Sequence, residues 1–119
     1  MKGVDIRAAR SAHPFSEFRR YGQFLFTAGQ IGDDANPDIR TQTRQALEKM
    51  KALLESAGTT MDNVLKTTVY LANMDDYESM NEVYKEFFKA LPARVVIQVP
   101  RVGARRGSKI KIDAIAFAL

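Results

Sequence analysis

The sequence predicts one α/β domain, of the α+β type, in which two amphipathic helices cover one face of a mixed β-sheet. Short runs rich in β-branched and aromatic residues alternate with two longer segments whose apolar residues recur every three or four positions. The resulting order is strand pair, helix, strand, helix, strand, strand. A length of 119 residues, 45% of them hydrophobic, is enough for one buried core, so residues 1–119 are expected to form a single domain.

The chain is expected to enter the sheet through a β-hairpin. Residues 24–28 form a compact apolar run between Gly22 and Gly29, which is typical of a strand bounded by turns. Residues 17–21, immediately before Gly22, are the expected partner strand. These two segments therefore form the strand pair at the start of the predicted order.

A helix is expected to follow the hairpin. Asn36 offers an N-cap and Pro37 the first helical residue, a position where the missing amide hydrogen costs nothing. Gly58 would end this helix as the first residue beyond its C-cap. One apolar stripe at intervals of three and four runs between these ends and comprises Ile39, Thr43, Ala46, Leu47, Met50, Leu53, Leu54 and Ala57.

A strand and a second helix are predicted next. Residues 64–72 are rich in β-branched and aromatic side chains, and a short turn is expected before them at residues 61–63. Asp75 and Glu78 are spaced as in a capping box, and Pro92 is expected to stop the helix that follows. The apolar stripe of this helix comprises Tyr77, Met80, Val83, Tyr84, Phe87, Phe88 and Leu91.

Two further strands, residues 95–99 and 109–119, are expected to complete the sheet. The last strand alternates, with one face formed by Ile110, Ile112, Ala114, Ala116 and Ala118. The other face carries Lys109, Lys111, Asp113, Ile115, Phe117 and Leu119. Because two helices cover only one face of the sheet, a lone subunit would expose apolar side chains on the second face. Oligomerisation is the simplest way to bury them.

Composition excludes several classes of site. The chain has no cysteine, which rules out disulfides, thiolate nucleophiles and cysteine-ligated zinc. Its only histidine, His13, leaves no multi-histidine metal site within one subunit and is expected to be a solvated loop residue without a role. The sequence has no run typical of a signal peptide or a membrane span, so a cytoplasmic protein without membrane contact is expected.

Basic residues raise two separate hypotheses. The formal net charge of +4 favours contact with anions without choosing between nucleic acid and acidic metabolites, and residues 101–107 are expected to form a solvated basic hairpin. Arg94 stands at the start of an apolar strand, where a shielded guanidinium needs a carboxylate, carbonyls or a bound anion. A structural salt bridge, for instance to Asp113 or Glu86, satisfies that need as well as ligand binding does.

Seven segments along the chain together resemble the Rid (YjgF-type) family. In chain order they read HPFS, FTAGQIG, QTRQAL, KTTVYL, NEVY, PAR and KIKIDAIA, beginning at His13, Phe26, Gln42, Lys66, Asn81, Pro92 and Lys109. They extend over nearly the whole chain and keep the order of the family. The sequence is therefore identified as a member of that family.

The resemblance implies a chorismate-mutase-like fold whose sheets assemble into a trimeric, barrel-like core, with a ligand cleft between neighbouring subunits. It also implies hydrolysis of reactive enamines and imines such as 2-aminoacrylate to a 2-keto acid and ammonia, without metal or organic cofactor. The residue matching Arg94 holds the substrate carboxylate, while backbone groups near Ala28 and Gly29 help to position the imine and water. Small carboxylate-bearing imines or keto acids are the partners that the resemblance implies.

The chain departs from the deaminase pattern at four positions. Phe15 stands where tyrosine is usual, Ala28 where serine is common and Val96 where cysteine often occurs. Lys111 replaces an acidic residue thought to help activate water. Asp113, two residues along the same strand face, could partly substitute for that acid or merely pair with Lys111. The catalytic candidates are Arg94 and Asp113, and the substrate-binding candidates are Arg94, Phe15, Ala28, Gly29, Val96 and Lys111.

Three functions remain open, of which imine deamination is favoured. A non-catalytic module for a small carboxylate metabolite could keep the Arg94 clamp after losing the water-activating acid. RNA binding or cleavage, a label that some relatives carry, would use Arg101, Arg105 and Arg106. That basic loop has no interleaved aromatic residue for base stacking, and the sequence offers no obvious acid-base pair. Nucleic acid is therefore not the expected partner.

Overall fold

A computed structural model describes residues 8–10, 13–32 and 38–119 of the chain. Its six strands are β1 (Ala8–Arg10), β2 (Ser16–Tyr21), β3 (Phe24–Thr27), β4 (Val64–Leu71), β5 (Ala93–Gln98) and β6 (Ile110–Phe117). The two α-helices are α1 (Ile39–Ser56) and α2 (Tyr77–Tyr84). All strands join one sheet in the order β1-β2-β3-β6-β4-β5, in which only β4 and β5 run parallel. The predicted class, a mixed α+β sheet with two helices, is confirmed.

The sequence does not predict β1. This short strand pairs antiparallel with β2, with Ala8 opposite Arg19 and Ala9 opposite Phe18. Alanine and arginine have little intrinsic preference for strands, so local composition gives no signal here. The strand owes its place to pairing with the hairpin, which forms as predicted through a turn at Gly22, where φ is 60°.

The start of α1 differs from the prediction. Asn36 and Pro37, the expected N-cap and first helical residue, lie outside the described residues. Asp38 is the N-cap instead, and its side chain accepts a hydrogen bond of 3.0 Å from the Arg40 backbone N–H. A carboxylate at this position both satisfies a free N–H and complements the positive end of the helix dipole.

The predicted apolar stripe and the end of α1 are confirmed. Seven of the eight stripe residues are buried, and the eighth, Leu53, packs against the same core. Gly58 lies just beyond the C-cap with φ of 87°, a conformation that favours glycine. Its N–H donates to the Glu55 carbonyl, and the Thr59 N–H donates to the Leu54 carbonyl at 3.0 Å. These two hydrogen bonds satisfy backbone carbonyls that have no partner within the helix.

The second helix is shorter than predicted. The capping box at Asp75 and Glu78 does not form; Asn73 caps a short 3-10 turn instead, accepting from the Asp75 N–H at 2.9 Å. After Tyr84 the chain makes another 3-10 turn and then becomes extended, so Pro92 is not what stops the helix. Leu91 is 68% exposed rather than part of the stripe. The helical spacing of apolar residues continues past the end of the helix because the 3-10 turn still brings Phe88 into the core.

The last strand occupies the middle of the sheet, between β3 and β4. Its predicted alternation is confirmed, since Ile110, Ile112, Ala114, Ala116 and Ala118 are all buried on the helix side. The connection between β5 and β6 is not the expected hairpin, because β4 separates these two strands. Nor is this loop wholly solvated, since Val102 is buried within it. A central strand completes more backbone pairing than an edge hairpin would.

The face of the sheet away from the helices carries exposed apolar side chains, as predicted. They include Phe24, Phe26, Val95 and Ile97, which are between 39% and 49% exposed. Their neighbours along each strand, such as Leu25, point into the core, which is the alternation expected of a strand. Within the described ranges, neither helix is long and apolar enough to cross a membrane.

Candidate functional site

Arg94 lies on β5 with its guanidinium held against α2. One terminal nitrogen donates to the Asn81 side-chain oxygen at 2.8 Å, and the other donates to the Tyr77 hydroxyl at 3.2 Å. The guanidinium carbon also lies 5.6 Å from the centre of the Tyr77 ring and 4.8 Å from that of Tyr84. Two hydrogen bonds and two aromatic faces therefore fix the orientation of the cation.

The phenol of Tyr84 connects this arrangement to the core. Its oxygen lies 2.7 Å from the hydroxyl oxygen of Thr67, and both residues are buried. Burial raises the pKa of Tyr84, while the hydrogen bond with Thr67 and the charge of Arg94 act in the opposite direction. The ring is thus held as a neutral, fixed surface beneath the guanidinium.

The two structural salt bridges that the sequence suggested for Arg94 are absent from the described part of the chain. Glu86 pairs with Arg44 at 3.3 Å, and Asp113 accepts a hydrogen bond from Tyr70 at 3.2 Å. The groups that contact Arg94 are neutral, so its charge is balanced by no carboxylate among the described residues. A guanidinium has five N–H donors, so donors remain for an external anion.

Phe15, Ala28, Gly29 and Lys111 lie together around a depression of about 530 Å³, which Arg19 also borders. Phe15 is half exposed, and its ring stacks on that of His13 with centroids 5.8 Å apart. The hydrocarbon part of Lys111 lies directly over Gly29, since a Cβ on Gly29 would stand 2.7 Å from Lys111 Cδ. Glycine is therefore needed at this position for Lys111 to lie where it does.

A bulge shapes the backbone beside this depression. Phe26 is opposite Ile115 and Gln30 is opposite Ile112, so the segment that leaves β3 has one more residue than β6 between these two pairs. The Thr27 hydroxyl accepts from the Ala114 N–H at 3.0 Å in place of a backbone carbonyl. Within the described residues, the Gly29 N–H and carbonyl have no hydrogen-bond partner. Bulges of this kind often free backbone groups at binding sites.

Asp113 lies on the same strand face as Lys111 and borders a smaller depression of about 290 Å³ with it. Its hydrogen-bond partner is the Tyr70 hydroxyl rather than Lys111, and no ion pair joins Lys111 to Asp113 among the described residues. Burial, followed by the charge of Asp113 and the hydrogen bond to it, raises the pKa of Tyr70. Tyr70 therefore stays protonated and keeps one carboxylate oxygen occupied.

One chain does not bring all candidate residues together. Arg94, Thr67 and Ala114 lie side by side across three strands and face the helices. Lys111 and Asp113 stand at odd separations from Ala114 on β6, so they face the opposite side of the sheet. Val96 shares the helix side with Arg94 and packs against the core without offering a polar group. The candidates thus form an arginine group and a lysine group on opposite faces.

Sequence reasoning did not assign a role to the residues that hold Arg94. Tyr77, Asn81 and Tyr84 occupy positions i, i+4 and i+7 of α2, which places them on one helix face. Polar atoms at the ends of these side chains, on a stripe that is otherwise apolar, were the sequence signal for this role. The described residues include no group of three or more His, Asp or Glu side chains arranged to hold a metal ion.

The comparisons with known proteins all indicate one family. A family model described as endoribonuclease L-PSP matches residues 6–118. A RutC family protein from Pyrococcus horikoshii is 44% identical over 117 residues, which cover 92% of this chain and 91% of the relative. The 2-iminobutanoate/2-iminopropanoate deaminase of Homo sapiens is 35% identical over 118 residues, covering 93% of this chain and 85% of the relative.

Solved structures agree with the sequence comparisons. A YjgF family member from Neisseria meningitidis superposes with a TM-score of 0.90 at 25% identity, covering 98% of each chain. TdcF of Escherichia coli with bound serine gives a TM-score of 0.83 at 31% identity and covers 100% of both chains. The match of the family model to nearly the whole sequence and these relatives show that the chain belongs to the endoribonuclease L-PSP family, also called the Rid or YjgF family.

Proposed function

We propose that this chain hydrolyses small enamine or imine intermediates, such as 2-aminoacrylate, to 2-keto acids and ammonia, with Arg94 holding the substrate carboxylate. The arrangement around Arg94 carries the proposal. Its guanidinium is oriented by neutral partners, Asn81 and Tyr77, and meets no carboxylate among the described residues. A free carboxylate can accept two parallel hydrogen bonds from the donors that remain. Relatives named as imine deaminases support this choice of reaction.

The complete site is proposed to form between two subunits. Arg94 and Lys111 face opposite sides of one sheet, so both can border a single cleft only if neighbouring chains contribute them. The exposed apolar face, which includes Phe24 and Ile97, supports an assembly that buries it. In this arrangement the arginine group of one subunit faces the lysine group of the next.

The proposed chemistry needs little beyond positioning. Water adds to the imine carbon, and the carbon-nitrogen bond then breaks as ammonia leaves and the keto acid forms. Arg94 fixes the carboxylate end of the substrate, and the unpaired Gly29 N–H and carbonyl are available to orient the imine or the water. Asp113 is the acidic group proposed to accept a proton from that water, through the oxygen that Tyr70 leaves free, and to pass it to the nitrogen before ammonia leaves.

The reaction itself can be tested directly. When the protein is added to an enzyme that generates 2-aminoacrylate, release of the 2-keto acid is expected to exceed the uncatalysed rate, because binding places water against the imine carbon. Formation of the keto acid would be followed by a coupled dehydrogenase. A rate equal to that of the same mixture without the protein would contradict the proposed activity.

A homotrimer is the expected assembly. Closing three sheets around a threefold axis would bury the exposed apolar face of each subunit and place three clefts between neighbours. Light scattering on the purified protein should therefore give three times the 13.4 kDa mass of the chain. A monomer mass at micromolar concentration would exclude the intersubunit site. Phe26→Lys, on that face, should lower the mass, whereas the exposed helix variant Glu48→Lys should leave it unchanged.

A second candidate function is binding without turnover. It is favoured by Lys111, whose cationic side chain extends over Gly29 where the deaminase pattern has an acid. A lysine there would strengthen retention of a carboxylate ligand but could not accept a proton from water. Such a protein would sense or sequester a small carboxylate metabolite with the same Arg94 clamp. Measurable turnover in the coupled assay would decide against it.

A further inference from the structure

A cluster of cations lies at the end of the sheet away from Arg94. Arg101, Arg105, Arg106 and Lys109 border a depression of about 510 Å³ between the ends of β4 and β5 and the start of β6. We call it the basic loop pocket. No residue of the arginine group or the lysine group lines it, and Arg94 lies at the opposite end of β5. Arg101 also lines the smaller depression beside Lys111 and Asp113. We propose that the basic loop pocket binds a small phosphate-bearing ligand.

Positive charge dominates the lining of the basic loop pocket. The chain has 18 Lys and Arg against 14 Asp and Glu. Four of those 18 basic residues line the basic loop pocket, and no acidic residue lines it. Like charges around one depression repel one another, so an anion bound among them is favoured.

The loop that carries these cations is held in place from both sides. Gln42 of α1 is 1% exposed; its amide nitrogen donates to the Gly107 carbonyl at 3.0 Å, and its oxygen accepts from the Lys109 N–H at 2.7 Å. Arg105 donates to the Gly32 carbonyl. Gly107 itself has φ of 84°, which turns the backbone between Arg105 and Lys109. A preformed loop loses little entropy when it binds a ligand.

The four cations differ in the hydrogen bonds that their side chains make within the protein. Arg101 donates to the carbonyls of Gly103 and Ala104, at 2.9 and 2.6 Å, so it stabilises the loop from within. The side chains of Arg106 and Lys109 have no hydrogen-bond or ion-pair partner among the described residues. They are therefore the groups most available to a ligand. Arginine and lysine side chains around a small concave surface are typical of phosphate recognition.

The observations favour a small phosphate compound over a nucleic acid. The pocket is concave and local, and its lining residues include no aromatic side chain on which a base could stack. Single-stranded nucleic acid is normally held by a longer basic groove that alternates with aromatic rings. A compound with one or two phosphate groups matches the charge of the lining, and Arg106 and Lys109 are the groups available to contact its oxygen atoms.

Pyrophosphate is a suitable probe, titrated calorimetrically into the wild-type protein at low ionic strength. Binding is expected, and Arg106→Gln should weaken it about tenfold, the usual effect of losing one charge-assisted hydrogen bond. Lys89→Gln removes one positive charge from an exposed residue elsewhere and should change the Kd less than about twofold. Melting temperatures of both variants without ligand would confirm that each is folded.

Several results would overturn the proposal. They are the absence of pyrophosphate binding to the wild type, equal weakening by Arg106→Gln and Lys89→Gln, and weakening by Arg94→Ala, which would place the anion in the carboxylate site. A single-stranded RNA oligonucleotide that binds through Arg106 and is not displaced by excess pyrophosphate would assign the pocket to nucleic acid instead. Because none of these measurements uses turnover, they are independent of the proposed deaminase reaction.

Discussion

Small 2-keto acids are expected to raise the melting temperature of the wild-type protein, and Arg94→Ala is expected to abolish that response. A ligand at one hundred times its Kd stabilises the folded state by about 2.7 kcal/mol through mass action. This stabilisation requires the carboxylate contact, and Arg94 is the cation that Asn81 and Tyr77 hold in place with donors to spare. Thermal unfolding at increasing pyruvate concentration is the measurement.

Two comparisons make the Arg94 result specific. Arg94→Lys keeps a positive charge above the Tyr84 ring but should restore the response poorly, because an ammonium cannot form the forked pair with a carboxylate. Arg44→Ala removes an exposed arginine paired with Glu86 and should respond like the wild type. Equal stabilisation of wild type and Arg94→Ala by pyruvate would show that the ligand sits elsewhere.

Lys111→Glu is expected to increase imine hydrolysis and to weaken binding of 2-keto acids. In the wild type, a cation at this position should strengthen retention of the carboxylate product, and the position offers no carboxylate to orient water. Glutamate supplies a general base beside the unpaired Gly29 backbone, a contribution typically worth about 100-fold or more in rate. Initial rates in the coupled assay and the Kd for pyruvate would be measured together.

Lys111→Gln separates the two effects of that substitution. It removes the positive charge without supplying a carboxylate, so it should weaken pyruvate binding yet leave the hydrolysis rate near that of the wild type. If the wild type already turns over as fast as Lys111→Glu, the lysine does not limit catalysis. Water activation would then belong to Asp113 or to the backbone alone.

Much of the fold could be predicted from local patterns. The stripe along α1, from Ile39 to Ala57, follows from helical periodicity, because the residues that face a core must recur every three or four positions. Gly58 predicted the end of this helix, because the residue just beyond a C-cap often adopts a positive φ, as it does here, and that conformation favours glycine. The alternation from Ile110 to Ala118 identified both the last strand and its buried face. Arg94 stood out because a charge at the start of an apolar strand needs a partner.

The tertiary structure alone decided which partners those elements and side chains would meet. Nothing in local periodicity shows that β6 inserts between β3 and β4, that β1 joins the edge, or that α2 ends at Tyr84. Nor does it show that the neutral side chains of Tyr77 and Asn81 hold Arg94, or that Lys111 lies on the opposite face of the sheet. Periodicity reports which side of an element is buried, whereas contacts between distant residues depend on strand order and register. Those are set by the packing of the whole chain.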